Sequence, residues 1–471
     1  MDDDSLQQLD RALLHQQQNL LRQTSAHTRS PQLTPAKSPF LSTKSPHLSP
    51  LLRPRSLTLE DDFSLDDEGP LTLMQAIFNL ANIIVGAGVL SVPYAFKQSG
   101  YFTVLIIMVV IGITDTTGKW IGSALRIAGD TKAAEAVPPS ARDFAFLAEV
   151  ALGRRSRRVV SFVTVLEVWF ACVTFMVMNG DNAKTVWPSL APAISVPITG
   201  AMATLLCLVP ENVFAYLSLI SSLSLLTAAV AMVTATWMLS DWADPYERLG
   251  ASTLIHVENI PQSVGIVMFC FAGHPVFPAV YASMKETKKW DYAIDVSFLI
   301  AFVFYGSMGF VGYIVFGSGL DATVTENLTD IHGILALWCQ DIAALGFLVK
   351  VQLTAPLMLN ALMVALWPPV KDGPEWPPAR LLLLAALGLV TVLVGVALRD
   401  SVAAVAGLTG SFCVMTTSVL FPAVAHLTLS HSSSESERPQ VRTCLTYIGT
   451  VLFGSVMAVL GTASAVRDLI R

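Results

Sequence analysis

Apolar runs of about twenty residues, the length that crosses the hydrocarbon core of a bilayer, recur along this chain and leave few folds open to it. In lipid every backbone amide and carbonyl needs an internal partner, so such runs become helices. We read eleven of them, at 71–94, 101–126, 158–181, 194–210, 213–239, 261–283, 292–316, 332–366, 380–398, 401–429 and 443–466. Composition agrees: 14% of the 471 residues are charged, against about a quarter in soluble proteins. A net charge of −6 offers no basic field for nucleic acid, and no nucleic-acid partner is expected. The six cysteines lie in or beside apolar runs without CxxC spacing. They read as small buried residues, with no disulfide framework, metal or cofactor.

Residues 1–70 are a different material. They are rich in Ser, Pro, Gln and Leu, and Ser30, Thr34, Ser38, Ser45 and Ser49 each precede a proline. Such a segment buries too little apolar area to offset its chain entropy. We expect a disordered cytoplasmic tail over 1–70 and a transmembrane domain over 71–471. Within the tail, Leu6, Leu9, Leu13, Leu20 and Leu21 fall near helical spacing, and Asp10-Arg11-Ala12-Leu13-Leu14 resembles an acidic dileucine sorting signal. The start, Met1-Asp2-Asp3-Asp4, leads into no apolar h-region before Leu71, so no cleavable signal peptide is expected.

Orientation follows from the basic residues in the connections. With the N-terminus in the cytoplasm, the cytoplasmic loops hold fourteen Lys and Arg, among them Arg154, Arg155, Arg157 and Arg158, and the opposite side six. The sequon Asn327-Leu328-Thr329 then falls on the extracellular or lumenal side, where an acceptor asparagine belongs.

Glycine and proline interrupt two spans. The first contains Asn82-Ile83-Ile84-Val85-Gly86-Ala87-Gly88-Val89-Leu90-Ser91-Val92-Pro93, and the sixth Cys270-Phe271-Ala272-Gly273-His274-Pro275. Unwound backbone is tolerated in a membrane where it is buried or lines a cavity, and paired interruptions in two halves point to a transporter's binding site. The spacing implies two inverted repeats, spans 1–5 and 6–10, with an eleventh helix appended. A small zwitterion such as a free amino acid suits such a site. Amides at the start of the second half-helix, over Gly86, Ala87 and Gly88, would hold its carboxylate. Carbonyls freed at Ala272, Gly273 and His274 would accept from its ammonium. On this reading valine at Gly88 blocks binding without unfolding the chain, a change at Gly122 is silent, and changes around Gly273 and His274 alter which amino acid is accepted.

The same residues resemble the amino acid/auxin permease family of the APC superfamily over most of 71–466. Phe78-Asn79-Leu80-Ala81-Asn82 through Pro93-Tyr94 looks like the family's opening motif. Glu167 followed by Gly180-Asp181-Asn182 looks like the third span of its vacuolar branch. Gly273-His274-Pro275-Val276-Phe277-Pro278, running into Tyr281-Ala282-Ser283-Met284-Lys285-Glu286, is similar to vacuolar amino acid transporters and, more loosely, to vesicular inhibitory amino acid transporters. The resemblance implies a LeuT-like fold of eleven transmembrane helices, with helices 1 and 6 broken, and proton- or sodium-linked transport of neutral amino acids. It also suggests a vacuolar, lysosomal or other endomembrane, with the plasma membrane as alternative. Asn82 matches the asparagine in the ion site of sodium-coupled relatives, and Thr354 in span eight could supply a second oxygen.

Ionisable groups inside hydrocarbon are costly and usually functional. Glu167 and Lys350 stand mid-span. A carboxyl group at that depth can take up and release a proton and so relay one, which makes the pair candidates for coupling. Alternatively they pair with each other or with backbone carbonyls. Asp115 and Lys119, four apart on one helix face, read as a structural pair. His274 lies inside the break and could titrate at vacuolar pH.

No nucleophile–base constellation, HExxH or Walker A motif occurs, so neither an enzyme nor an ATP-driven pump is expected. The leading function is secondary transport of a neutral amino acid, the partners being that substrate, H+ or Na+, and the bilayer. An amino-acid-sensing receptor without net transport is the other class.

Overall fold

The computed structural model describes residues 71–135, 137, 139, 142–209, 211–239, 253–327, 334–366, 377–432 and 441–470. The tail over 1–70, with its serine–proline pairs and dileucine, lies outside the described residues, as do Leu328 and Thr329 of the sequon.

The described chain is an all-helical membrane protein. Eight helical runs are long and apolar enough to cross a bilayer, and three shorter apolar helices, Leu73–Ile84, Ala193–Leu206 and Ile220–Thr234, accompany them. In chain order the main helices are α1 (Leu73–Ile84), α2 (Val92–Ser99), α3 (Thr103–Gly129), α4 (Phe144–Leu152), α5 (Arg154–Val186), α6 (Pro192–Leu206) and α7 (Glu211–Leu239). After them come α8 (Ile260–Cys270), α9 (Phe277–Ser283), α10 (Trp290–Phe316), α11 (Ile334–Leu366) and α12 (Pro378–Ala397). The chain then runs through α13 (Val402–Leu408), a π-helical stretch at Thr409–Leu420, α14 (Phe421–Ser432) and α15 (Val441–Ile470).

Two large apolar cores, with a small third one around Trp120, Ala423 and Tyr447, hold these helices. One joins α1, α2 and α3 to α8, α9 and α10; the other joins α5, α6, α11 and α12. The outward faces stay apolar and exposed, as at Leu223, Leu226 and Val230 of α7 and Leu382, Leu389 and Leu393 of α12, which is the surface that lipid covers. Small residues bring helices together where larger ones would not fit. A Cβ at Gly410 would overlap the Gly265 carbonyl, so α8 and the π-helical stretch meet backbone to backbone.

α1 begins with a capping box. Thr72 Oγ1 accepts from the Gln75 amide, and Gln75 Oε1 accepts from the Thr72 amide at 2.9 Å. Just before it, Leu71 pairs with the end of α9: its amide donates to the Ser283 carbonyl and its carbonyl accepts from the Lys285 amide, both at 2.8 Å. The entry of the first span is thereby tied to the exit of the sixth.

The expectation that Gly122 tolerates bulk is corrected. A Cβ there would strike the indole ring of Trp290, which is 2% exposed and donates to the Gly118 carbonyl at 3.0 Å. Overpacking of this kind costs about 1–3 kcal/mol.

Candidate functional site

Both interruptions expected from the sequence are present, and they touch. α1 ends at Ile84, Val85 and Gly86 are non-helical, and a 3-10 turn at Ala87–Leu90 leads into α2. α8 ends at Cys270, and Phe271–Gly273 separate it from a 3-10 turn at His274–Val276 and then α9. The second gap therefore opens earlier than Ala272. Gly273 has φ +147°, a backbone state that glycine adopts without strain, and a Cβ there would stand 2.7 Å from Ile83 Cγ2, in the last turn of α1 before the first gap. Gly88 is equally close to the other side: a Cβ would lie 2.9 Å from Cys270 Sγ and 3.1 Å from Cys270 Cα. The Cys270 thiol donates to the Gly88 carbonyl at 3.2 Å.

A residue that sequence reasoning missed joins the two gaps. The Tyr305 hydroxyl of α10, fully buried, accepts from the Gly86 amide at 3.1 Å. It donates toward the carbonyls of Ile84 at 2.8 Å and Cys270 at 3.0 Å. One side chain thus partners three backbone groups that the helix breaks release. The available signal was a phenol in the middle of an apolar span, where a hydroxyl needs a partner. Tyr305→Phe should leave these groups unpaired at about 1–3 kcal/mol each. A lower unfolding temperature of the purified protein, together with weaker amino acid binding, is the expected result; unchanged values would remove Tyr305 from this role.

Three expectations change here. The Gly86 amide does not await an anion, because Tyr305 already occupies it. Gly88 and Gly273 are packing positions, so bulk at either disturbs the fold as well as any ligand. His274 is fully buried and turns its Nε2 to α3, 2.9 Å from the Thr114 carbonyl and 3.1 Å from Thr117 Oγ1. A carbonyl only accepts, so Nε2 carries the proton, and Nδ1 is left buried without a hydrogen-bond partner among the described residues. His274 pins the second gap to α3. What stays open between the gaps is backbone. The carbonyls of Phe271 and Ala272 accept no hydrogen bond among the described residues. A Cβ built on half-buried Gly86 would meet nothing within 4 Å. Ala87 belongs to the 3-10 turn.

The coupling candidates fall in two places. Glu167 is 7% exposed, and its Oε2 accepts from the Thr417 hydroxyl at 2.7 Å. Thr417 belongs to the π-helical stretch, a geometry that is rare and often marks functional sites. Lys350 is 4% exposed. Glu167 and Lys350 make no ion pair with each other, nor does either with another charge, among the described residues. Asp115 and Lys119 do pair, at 2.8 Å, and Asp295 of α10 joins them at 2.5 Å.

Asn82 and Thr354 each meet a serine of α7 that the sequence did not single out. Ser222 Oγ donates to Asn82 Oδ1 at 3.2 Å. Ser221 Oγ lies 3.5 Å from Thr354 Oγ1 and 3.4 Å from the Lys350 carbonyl, which also accepts from Thr354 at 2.7 Å. The Gly180-Asp181-Asn182 motif has a structural task. Asn182 Oδ1 accepts from Thr325 at 2.8 Å and so holds the short helix Val324–Asn327 against α5. Asn327 itself is spent on its own turn, accepting from the Asp321 amide at 2.8 Å and donating to the Gly319 carbonyl at 2.9 Å.

A family model described as "Transmembrane amino acid transporter protein" matches residues 69–466. The chain belongs to this family, the amino acid/auxin permeases. Among its relatives in Arabidopsis thaliana, amino acid transporter AVT1D is 26% identical over 421 residues, covering 87% of this chain and 72% of that protein. Amino acid transporter AVT1E is 27% identical over 410 residues, covering 85% and 74%. Solved structures extend the likeness to the fold. MhsT in complex with L-phenylalanine superposes with a TM-score of 0.55 at 13% identity, covering 83% of this chain and 98% of that one. A manganese transporter of Eremococcus coleocola gives 0.51 at 11%, covering 86% and 100%. Both neighbours have the LeuT-type fold. The chain is accordingly a multi-pass member of an amino acid transporter family, related by name to transporters and not to enzymes.

Proposed function

We propose that this permease-family member is a secondary active transporter of neutral amino acids, proton-coupled and resident in a vacuolar, lysosomal or related endomembrane. The observation that carries the proposal is the contact of the two helix interruptions under the Tyr305 hydroxyl. On this reading the chain crosses the bilayer eleven times, α1 and α2 together making the broken first crossing. The matched positions of the gaps support two inverted five-helix repeats and one added helix. The α-ammonium would be taken by the Phe271 and Ala272 carbonyls. The carboxylate would sit at the Ala87 and Gly88 amides, at the positive end of the second half-helix and beside the open space at Gly86. Absence of bulk at Gly86 supports that placement.

Proton coupling rests on Glu167. It has one hydrogen-bond partner, a hydroxyl, and no counter-cation among the described residues. No cation holds it ionised, so it can take up a proton within the cycle. Resemblance to the vacuolar branch supports the endomembrane. A sodium-coupled second reading has its own observation: consecutive serines of α7 reach the two candidate ion ligands, Ser222 bonding Asn82 of α1 and Ser221 lying beside Thr354 of α11. Flux of a panel of labelled amino acids into proteoliposomes decides between these readings. Accumulation driven by a pH gradient in sodium-free buffer is expected. A strict sodium requirement would move the ion site to Asn82 and Thr354. Binding without any flux would make the protein a receptor.

A further inference from the structure

The start of α5 has a chemistry that amino acid transport does not use. Arg154, Arg155, Arg157 and Arg158 fall within its first five residues. Cations at a helix N-terminus face the positive end of the helix dipole and destabilise it, so the cluster needs another partner. Glu149 supplies part of one, pairing with Arg157 at 2.5 Å and standing 3.7 Å from Arg154, which is 80% exposed. Arg155 and Arg158 are exposed and make no ion pair or hydrogen bond among the described residues.

The face on which those two arginines stand continues into an apolar groove. Arg155, Arg158, Phe162, Val165 and Trp169 follow one another at three- and four-residue steps and so share a stripe of α5. Phe162, Val165 and Trp169 form one wall of a groove of about 370 Å³ whose other wall is Leu383, Leu387 and Val390 of α12, with the last turns of α11 as its floor. Phe162 is 66% exposed, as a lipid-facing side chain is. Arg380, one turn before Leu383 on α12, is buried and does not line the groove. From Arg158 to Trp169 is eleven residues, roughly 16 Å at 1.5 Å per residue, about half of a 30 Å hydrocarbon core. The stripe is thus one leaflet long, which sets its cationic end at headgroup depth when its apolar part lies in hydrocarbon. Glu167 lies on the opposite side of α5 from this stripe and does not enter it.

We propose that the groove between α5, α11 and α12 binds an anionic phospholipid of the leaflet nearest the N-terminus of α5, its phosphate held by Arg155 and Arg158 and one acyl chain lying along Phe162 to Trp169. Guanidinium groups grip phosphate oxygens in bidentate fashion, and an apolar channel beneath them favours a lipid over a soluble phosphate. A choline lipid cancels its own phosphate charge and should be a weaker occupant.

The test uses the full chain in phosphatidylcholine proteoliposomes that carry a minor fraction of chain-brominated lipid, with bromine quenching of Trp169 fluorescence as the readout. The Trp169 signal is taken as the difference from Trp169→Phe. Brominated phosphatidylserine is expected to quench Trp169 more strongly than brominated phosphatidylcholine. Arg155→Gln/Arg158→Gln, both at exposed positions, should erase that preference while keeping quenching by the choline lipid. Each surface arginine concentrates a monovalent anionic lipid roughly fivefold, so the loss is large. Mass spectrometry of lipid retained through purification gives a second reading: phosphatidylserine should stay with the native chain and leave the double variant. Equal quenching by the two lipids in the native protein, or an unchanged preference or equal retention in the double variant, overturns the proposal.

Discussion

Valine at Gly86 is expected to abolish amino acid binding and leave the protein folded. Gly86 has an extended backbone, φ −112° and ψ −161°, which a β-branched residue adopts readily. Its amide keeps the bond to Tyr305 whatever the side chain. A Cβ added there meets nothing within 4 Å, so the new methyls enter open space between the two gaps instead of a packed core. If that space receives the substrate, valine replaces it, and affinity falls by about a hundredfold or more, the scale of losing two well-made polar contacts. Gly88 cannot serve this purpose. A side chain there collides with Cys270, and the resulting loss of binding would report overpacking. Binding of labelled neutral amino acids to purified native and Gly86→Val protein, with unfolding temperatures measured on the same samples, separates the two effects. Native affinity in the folded variant would put the pocket elsewhere.

The second large effect concerns Glu167. A gradient of one pH unit is worth about 1.4 kcal/mol per coupled proton, hence about tenfold accumulation of substrate. Glu167→Gln keeps the size of the side chain and an oxygen that can accept from the Thr417 hydroxyl, so the contact of α5 with the π-helical stretch survives. What the amide cannot do is take up a proton and release it. The variant should therefore equilibrate its substrate without accumulating it, while exchange of labelled for unlabelled amino acid continues. Full pH-driven accumulation by the variant would show that the proton travels by another route.

Much of the fold was legible because lipid imposes a length and a composition on every crossing. The runs found by hydropathy correspond to helices throughout the described residues, and the glycines and prolines at Gly86 and Gly273 mark both interruptions. The partners of those interruptions were not legible. Tyr305, Thr417, Ser221 and Ser222 act across 219, 250, 133 and 140 residues of sequence, and hydropathy carries no information about which helices touch. Glycine was ambiguous for the same reason. Gly86 and Gly88 are two positions apart in one motif, yet one opens on empty space and the other is pressed against Cys270. His274 looked like a titrating group in a cavity, but its outcome was set by α3, whose Thr114 and Thr117 engage it.

The central claim is that an amino acid occupies the space where the two gaps meet. It is tested most directly by photo-crosslinking with a diazirine-bearing leucine analogue, followed by mapping of the modified peptides. Labelling confined to the segments around Asn82–Ser91 and Cys270–Phe277, and suppressed by excess leucine, is the expected result. Labelling that leucine suppresses only at other segments would contradict it.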